Sequence, residues 1–446
     1  MKEIKIGLIG LGTVGAGVVK VLQENNDLIT CRLGARIKLG KIAVRDLSAP
    51  RRVKVDPSLL TQNVRDILED PEIQIVIELI GGYEPAKSFI LSAIKAGKHV
   101  VTANKALLAE SGREIFQIAE EMGVDIGFEA SVGGGIPIIR SLREGFTANH
   151  IEEIFGIING TANYILTEMT EKKEDFQVVL RKAQEMGLAE ADPTLDIEGI
   201  DAASKIAILT YLAFGVEVKL DQIYTEGISG ITPMDIDYAA NFGYKIKLLA
   251  IAKKVQDALE VRVHPTMLPY DNPLAKVEGA FNAIYVKGDV VGPSLLYGKG
   301  AGMMPTASAV VGDIIELGRN ILKGIHNRVP LWMDRESGTG DCKFMKYPIR
   351  QPDEFSSRYY LRFTVIDRPG VLSKISGVLG NYGISIASVL QKERHPVDSV
   401  PVVILTHTAF ERDVKKALSE IDSLPIVRGK TVLIRVEQED EAGTGN

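Results

Sequence analysis

Residues 4–15 read IKIGLIGLGTVG. Ile4 to Ile9 form a short β-prone run, Gly10, Gly12 and Gly15 follow in G-x-G-x-x-G spacing, and Ala16 to Gln23 continues as a helix. Each glycine has a task in a strand–turn–helix that binds a dinucleotide. The first permits the tight turn, the second lets backbone approach a pyrophosphate, and the third lets helix pack on strand. The helix N-terminus then offers backbone N–H groups to the phosphates. A structural glycine turn is the alternative, and the flanking strand and helix weigh against it. The stretch predicts an α/β fold that opens with a dinucleotide-binding domain.

Outward from it, Lys38 to Val44 is expected as the second strand, with Arg45 and Asp46 at its tip. An acid there would hold a ribose 2′-OH and an arginine a 2′-phosphate. Both are present, so NAD and NADP stay open; Arg51, Arg52 and Lys54 nearby tilt toward NADP, unless all are solvated loop charges. Ile73 to Ile80 (IQIVIELI) is apolar enough for a central parallel strand. Gly81, Gly82 and a helix from Pro85 to Ala96 follow. His99 to Thr102 is a further strand, ending in Ala103-Asn104-Lys105. Ligands of such sheets bind at the carboxyl ends of strands, so Lys105 is placed to reach nicotinamide or substrate, or is a structural lysine. After a strand at Asp125 to Phe128 comes EASVGGGIP (129–137). Its glycines mark a tight backbone path, either a plain turn or a loop whose oxygens hold a hard cation.

From Ile151 the pattern changes to mixed helix and sheet. Helices are expected at Thr161–Met169, Phe176–Met186 and Ile200–Phe214, and strands at Leu259–Pro265 and Asn282–Val286. The stretch GLAEADPTLDIEGIDAASKIAILTYLAF (187–214) stands out. Its second half is apolar nearly all round and should be a buried helix. Asp201, Ser204 and Lys205 nevertheless share one face of it. A buried helix carries a carboxylate and an ammonium only if they are paired or in use. An ordinary ion pair is one reading and a working pair the other. Glu190, Asp192, Asp196 and Glu198 lie in an acidic loop just upstream. GKGAGMMPTASAVVGDIIELG (298–318) reads as a glycine-rich loop before an apolar helix holding Asp313, able to close over the cofactor. Residues 326–357 read as a connector.

Tyr359 to Val436 forms its own unit: strand YYLRFTVID, a helix within RPGVLSKISGVLGNYG, strands ISIASVLQKE and VPVVILTH, helix AFERDVKKALSEI and strand TVLIRVE. That order is βαββαβ, a ferredoxin-like arrangement. The tail from residue 437 should be disordered.

The 446 residues suffice for two or three domains. Hydrophobic residues at 45% and charged ones at 25% are those of an ordinary soluble protein. A net charge of −6 gives no case for nucleic acid. No apolar run is long enough to span a membrane, and no leader peptide is expected. Cys31 and Cys342 cannot form a disulfide framework, which suits a reducing cytoplasm.

With GLGTVG (10–15), TANK (102–105), EASVGGGIP (129–137), NGTANYIL (159–166), the long 187–205 segment and GAGMMPTASAVVGD (300–313), the chain resembles homoserine dehydrogenases of the single-function bacterial type with a C-terminal ACT domain. The resemblance covers all but the tail. It implies a Rossmann-like NAD(P)-binding domain at 1–130, with a helix near 305–320 packing back on it. It implies an α+β catalytic and dimerisation domain at 131–325, the connector, and an ACT domain at 358–436. The activity implied is NAD(P)-dependent interconversion of L-homoserine and L-aspartate 4-semialdehyde. Carried over by position, Lys205 would be the acid/base and Glu190 would hold the substrate's amino group. Asp201 would bind substrate or its water with Asp196 near, and Lys105 would stand between cofactor and substrate. Thr13, Val14, Gly187 and Gly302 would line the cofactor, and Glu129, Val132, Gly134 and Ile136 would ligate a monovalent cation such as sodium. DRPGVL (367–372) resembles the amino-acid-sensing turn of ACT domains. There Pro369 and Gly370 would free N–H groups for a carboxylate, with Asn381, in the loop before the next strand, as partner from a facing copy. Threonine is the effector so implied, and a homo-oligomer the assembly. The chemistry of the residues agrees. An alcohol that loses hydride must also lose a proton, no histidine lies in these motifs, and lysine is the remaining candidate.

Two other readings compete. Another amino-acid or semialdehyde reductase would share GLGTVG but need not share 187–205. A non-catalytic nucleotide-gated amino-acid sensor would bind ligands without turnover, and the intact Lys105, Glu190, Asp201 and Lys205 speak against it.

Overall fold

The run Ile4–Ile9 lies inside a six-stranded, all-parallel sheet. Its strands are β1 (Glu3–Ile9), β2 (Arg36–Ala43), β3 (Leu60–Thr61), β4 (Ile73–Glu78), β5 (His99–Thr102) and β6 (Ile126–Gly127). They are ordered β3-β2-β1-β4-β5-β6. This is the dinucleotide-binding order, with its switch point at the end of β1. The computed structural model describes residues 1–330, 347–391 and 399–437. Cys342, the middle of the 326–357 connector and residues 438–446 of the tail lie outside the described residues.

Two compact units are present. The first is Met1–Gly160 with Asp201–Asp221 and Phe281–Tyr347; the second is Thr161–Ile200 with Gln222–Ala280 and Pro348–Asn446.

In the first unit, helix Thr13–Glu24 covers the sheet and helix Met303–Lys323 packs on it, as expected for the 305–320 helix. Gly17 makes that contact possible. A Cβ there would stand 2.6 Å from the Met303 carbonyl oxygen. Ala307, Val310, Val311, Ile314 and Leu317 join Ile4, Ile6, Leu8, Val18 and Val19 in one core. Helix Ile200–Phe214 has the expected bounds, and twelve of its residues are buried. An antiparallel ladder joins Ile151–Ile157, Phe281–Gly288 and Gly292–Lys299.

In the second unit, Tyr244–Val255 and Ala258–Pro269 form a long hairpin. Strand Val432–Val436 runs parallel beside Ala258–Pro269, pairing Arg435 with Thr266. Ser356–Ile366, Ser399–Thr406 and Ile386–Leu390 continue the sheet. Helices Val371–Asn381 and Glu411–Asp422 pack over Leu361, Phe363, Ile404 and Leu433 in a separate core. The C-terminal module is therefore βαββαβ with the first strand central, as read from its sequence.

Some bounds differ from expectation. Tyr244–Val255, Gly292–Lys299 and helices Lys105–Glu121 and Pro233–Asn241 were not anticipated. KIKLLAIAKKV has no clean period of two or 3.6, because all but its ends are buried. The strand expected at Asp125–Phe128 is only Ile126–Gly127, since Phe128 already turns into the 3-10 segment Glu129–Ser131. The loop expected from Gly298 begins after Lys299, where the strand ends. Asn381 is the last residue of a helix and not in a loop; Gly383, at φ 72°, turns the chain after it.

Asp235 ties helix Pro233–Asn241 to the C-terminal module. It is fully buried and receives Arg362 Nε at 2.6 Å, Arg362 Nη2 at 3.0 Å and the Tyr360 hydroxyl at 3.0 Å. Asp235→Asn leaves a half-buried guanidinium without its counter-charge. It should cost about 3 kcal/mol in the chemical unfolding of the second unit. A loss below ~0.5 kcal/mol would show that the pair does not hold the two elements together.

Candidate active site

Asp201 and Lys205 lie one turn apart on the buried helix, 7% and 8% exposed. Lys205 Nζ donates to Asp201 Oδ2 at 2.6 Å and to the Ile158 carbonyl at 2.7 Å. Asn159 Nδ2 donates to the same Oδ2 at 2.9 Å. The other oxygen, Oδ1, faces Lys105 Nζ at 3.0 Å. Burial opposes the charge on Asp201, but the Lys205 and Lys105 ammonium groups outweigh it and hold the carboxyl well below its usual range. One carboxylate thus orients two ammonium groups. Lys205 is enclosed, while the Lys105 side chain is 44% exposed.

The reach of Lys105 is set by Glu78, Thr102 and Asn104. Glu78, fully buried at the end of β4, accepts from Ile80 N at 2.8 Å, Gly81 N at 3.0 Å and the Thr102 hydroxyl at 2.7 Å. The Thr102 oxygen accepts from Asn104 N, and Asn104 Nδ2 donates to the Gly82 carbonyl at 2.7 Å. Asn104 then caps the helix that Lys105 begins, accepting from Leu107 N. Two strand ends are so pinned together at the carboxyl edge of the sheet. A lone glutamate closing an apolar strand was the available signal.

The dinucleotide turn has the geometry its glycines imply. Gly10 has φ 102°, and a Cβ on Gly15 would collide with the Gly10 carbonyl oxygen at 2.2 Å. A Cβ on Gly12 would meet nothing within 4 Å, so this is where a phosphate can approach. Thr13 and Val14 open the helix behind it. Beyond β2, the Asp46 carboxylate is bound to the Ser48 N–H and hydroxyl, both on Oδ1. Arg45 is exposed.

Loop 129–137 is held from below. Both Glu129 carboxylate oxygens are committed, to Ile139 N at 2.8 Å and Arg140 N at 2.9 Å. The Glu129 N–H donates to Asp313, whose carboxyl is pushed up to about 7 by burial and by the Glu129 charge. Backbone oxygens of this loop are candidate donors for a cation, and the Ile136 carbonyl also accepts from Ile138 N. Among the described residues no group of three or more His, Cys, Asp or Glu side chains could hold a metal. Gly135 N donates to the Lys299 carbonyl, which brings the loop beside Gly302, the φ 121° residue before helix Met303–Lys323.

The remaining expected residues belong to the second unit. Gly187, at φ 70°, ends helix Phe176–Glu185, and Glu190 is exposed in the segment after it. Asp192 Oδ1 accepts from the Thr194 N–H and hydroxyl at the start of the short helical turn Thr194–Ile197, which carries Asp196. Pro369 precedes Gly370, the left-handed N-cap of Val371–Asn381; the Val371 N–H donates to the Arg368 carbonyl, and among the described residues no side chain caps the helix. Among the described residues no helix is long and apolar enough to cross a membrane.

Three family models match: homoserine dehydrogenase, NAD binding domain, over residues 10–129; homoserine dehydrogenase over 137–315; and ACT domain over 359–426. Homoserine dehydrogenase of Pseudomonas aeruginosa is 46% identical, over 98% of this chain and all of that one. A crystal structure of homoserine dehydrogenase from Thiobacillus denitrificans superposes with TM-score 0.89 at 47% identity, covering 98% of this chain and 99% of that one. A hyperthermophilic archaeal homoserine dehydrogenase in complex with NADPH matches at TM-score 0.61 and 26% identity, covering 73% of this chain and 100% of that one.

The lowered Asp201 carboxyl gives a pH prediction. Its stabilising contribution is complete above the ordinary value of 3.8 and is lost only as pH falls through the lowered one. Asp201→Asn should therefore be less stable than the parent at neutral pH, and the gap should close as the pH drops through the acid range. A gap that stays constant to the lowest measurable pH would remove the charge from the argument.

Proposed function

The chain belongs to the homoserine dehydrogenase family, whose members are NAD(P)-dependent oxidoreductases acting on a CH–OH group, and from that premise we propose how its residues divide the work. Lys205 is the acid/base for the hydroxyl of L-homoserine and the carbonyl of L-aspartate 4-semialdehyde. The observation that carries this is the Asp201 carboxylate shared between Lys205 and Lys105. It fixes one enclosed ammonium against a second carboxyl-held one, and a positioned proton donor is what carbonyl reduction needs. The bound nicotinamide supplies or takes the hydride. Asp201 binds substrate or its water, and Lys105 stands between cofactor and substrate. Glu190 holds the substrate's ammonium, with Asp196 near it in the same acidic segment.

Gly10, Gly12, Thr13, Val14 and Gly15 cradle the pyrophosphate, and Gly187 and Gly302 line the cofactor. Arg45 favours NADP, because its guanidinium is exposed while the Asp46 carboxylate is turned to Ser48. The NADPH complex of the archaeal relative supports that cofactor class. A monovalent cation such as sodium fits the backbone oxygens of Glu129, Val132, Gly134 and Ile136, a donor set of hard carbonyls. By function we divide the chain into a cofactor domain at 1–130, a catalytic domain at 131–325 and a regulatory domain at 358–436.

In this reading the enzyme catalyses a cytoplasmic step of threonine, methionine and isoleucine biosynthesis, and the C-terminal module regulates it. Threonine binds at Pro369 and Gly370, where the uncapped N–H groups suit a carboxylate. Asn381 of a facing copy in a dimer or tetramer completes the site.

Lys205→Ala should lower kcat for homoserine oxidation by roughly 10²–10⁴-fold while cofactor affinity survives, since a positioned proton-transfer group is worth that much. Near-normal turnover would end the assignment. With Arg45→Ala, the NADP to NAD preference should fall; an unchanged ratio of kcat/KM values would show that Arg45 does not read the 2′ position. Threonine should inhibit the full chain and not a chain cut after residue 350. Insensitivity of the full chain to millimolar-scale threonine would exclude this effector, whereas equal inhibition of the truncated enzyme would put the site elsewhere.

A further inference from the structure

The acidic segment that carries Glu190 is anchored at its far end. Ile228 N donates to the Ile197 carbonyl at 2.8 Å, and the Ser229 hydroxyl donates to Glu198 Oε1 at 2.8 Å. Gly227 packs its backbone directly on this segment. A Cβ there would stand 2.3 Å from the Ile197 oxygen and 2.6 Å from Glu198 Cα. A Cβ on Gly199, at φ 81°, would stand 3.1 and 3.2 Å from the Val263 and Thr225 side chains. So residues 225–229 form the floor under residues 197–199.

That floor is itself held at two points. The Glu226 N–H donates to the Val263 carbonyl of strand Ala258–Pro269 at 2.8 Å. Its carboxylate is the second point. Oε2 receives Arg435 Nη1 at 2.9 Å and the Tyr224 hydroxyl at 2.8 Å. Arg435 lies on Val432–Val436, the last strand of the βαββαβ module, and is 2% exposed. Glu411 takes its Nε at 2.8 Å and its Nη2 at 2.5 Å, and the guanidinium stacks 4.5 Å from the Tyr224 ring centroid. A planar guanidinium with both edges committed has one orientation. The strand that bears it therefore dictates where Glu226 stands.

We propose that Glu226 is a positioning residue for the substrate's ammonium contact. Through it, Arg435 of the C-terminal module fixes the 197–199 base of the acidic segment, and with it Glu190. This rests on the reading of Glu190 as the ammonium's partner. It gives the module a direct hold on substrate affinity that needs no contact with substrate. Arg435 keeps Glu411 when Glu226 is changed, so the module's fold does not depend on the test.

The experiment compares full-length Glu226→Ala, Glu226→Gln and Glu190→Gln with the parent. The readouts are amide hydrogen exchange of 190–199, KM for homoserine, kcat and cofactor affinity. Glu226→Ala should speed exchange in 190–199 by about tenfold, with helix Ile200–Phe214 unchanged, because only a local opening is made easier. Its homoserine KM should rise by about fivefold or more with kcat within about twofold, the mark of binding lost equally in ground and transition states. Glu226→Gln keeps an acceptor for Arg435 and Tyr224 and should stay within about twofold of the parent in both. Unchanged exchange in Glu226→Ala overturns the proposal, as does a loss of kcat and stability that Glu226→Gln fails to rescue. Faster exchange with a normal KM overturns it if Glu190→Gln does raise the KM. If Glu190→Gln leaves the KM unchanged as well, the ammonium reading is what fails, and the exchange result alone decides the anchoring.

Discussion

One buried carboxylate sets the terms for the rest of the first unit. Asp201 is charged in a helix that is otherwise apolar, and burial alone would neutralise it. It stays ionised because Lys205 and Lys105 reach it from two directions, one per oxygen. The penalty for burying the pair is several kcal/mol, and such pairs repay it only with near-ideal geometry. Here the Ile158 carbonyl and Asn159 amide complete the shell. A pair this costly gives little net stability, and its value lies in the orientation it enforces on Lys205.

The surrounding frame is arranged to deliver those partners. The Glu78–Thr102–Asn104 chain joins two strand ends and caps the helix that starts at Lys105. The Asp313–Glu129 link does the same for loop 129–137, from a helix nearly two hundred residues away in sequence. In both cases a buried carboxylate satisfies backbone N–H groups at a point where the chain leaves regular structure, which is where such groups are otherwise orphaned.

Much of this was legible in the sequence, for local reasons. GLGTVG needs only five neighbouring peptide units to explain each glycine: Gly10 has a positive φ, Gly15 has no room for a Cβ, and Gly12 stands open. Asp201 and Lys205 meet because helical spacing puts them one turn apart, and the helix bounds could be read from its all-round apolarity. The βαββαβ order followed from alternating periods. What was not legible depends on partners distant in sequence. Glu78 is the one charge in an otherwise apolar strand, and its task shows only where Thr102 and two N–H groups meet it. Tyr244–Val255 gave no periodic signal, since both of its faces are covered. Nothing in the letters near Glu226 points to Arg435, which pairs with it from 209 residues on.

The central claim is that Lys205, and not the more exposed Lys105, moves the proton, and chemical rescue tests it most directly. Small primary amines added to Lys205→Ala should restore turnover in a saturable way, with more basic amines differing in effect as general acid–base catalysis requires. The same amines should do little for Lys105→Ala. Absence of rescue in Lys205→Ala together with clear rescue in Lys105→Ala would contradict the account and transfer the proton-moving role to Lys105.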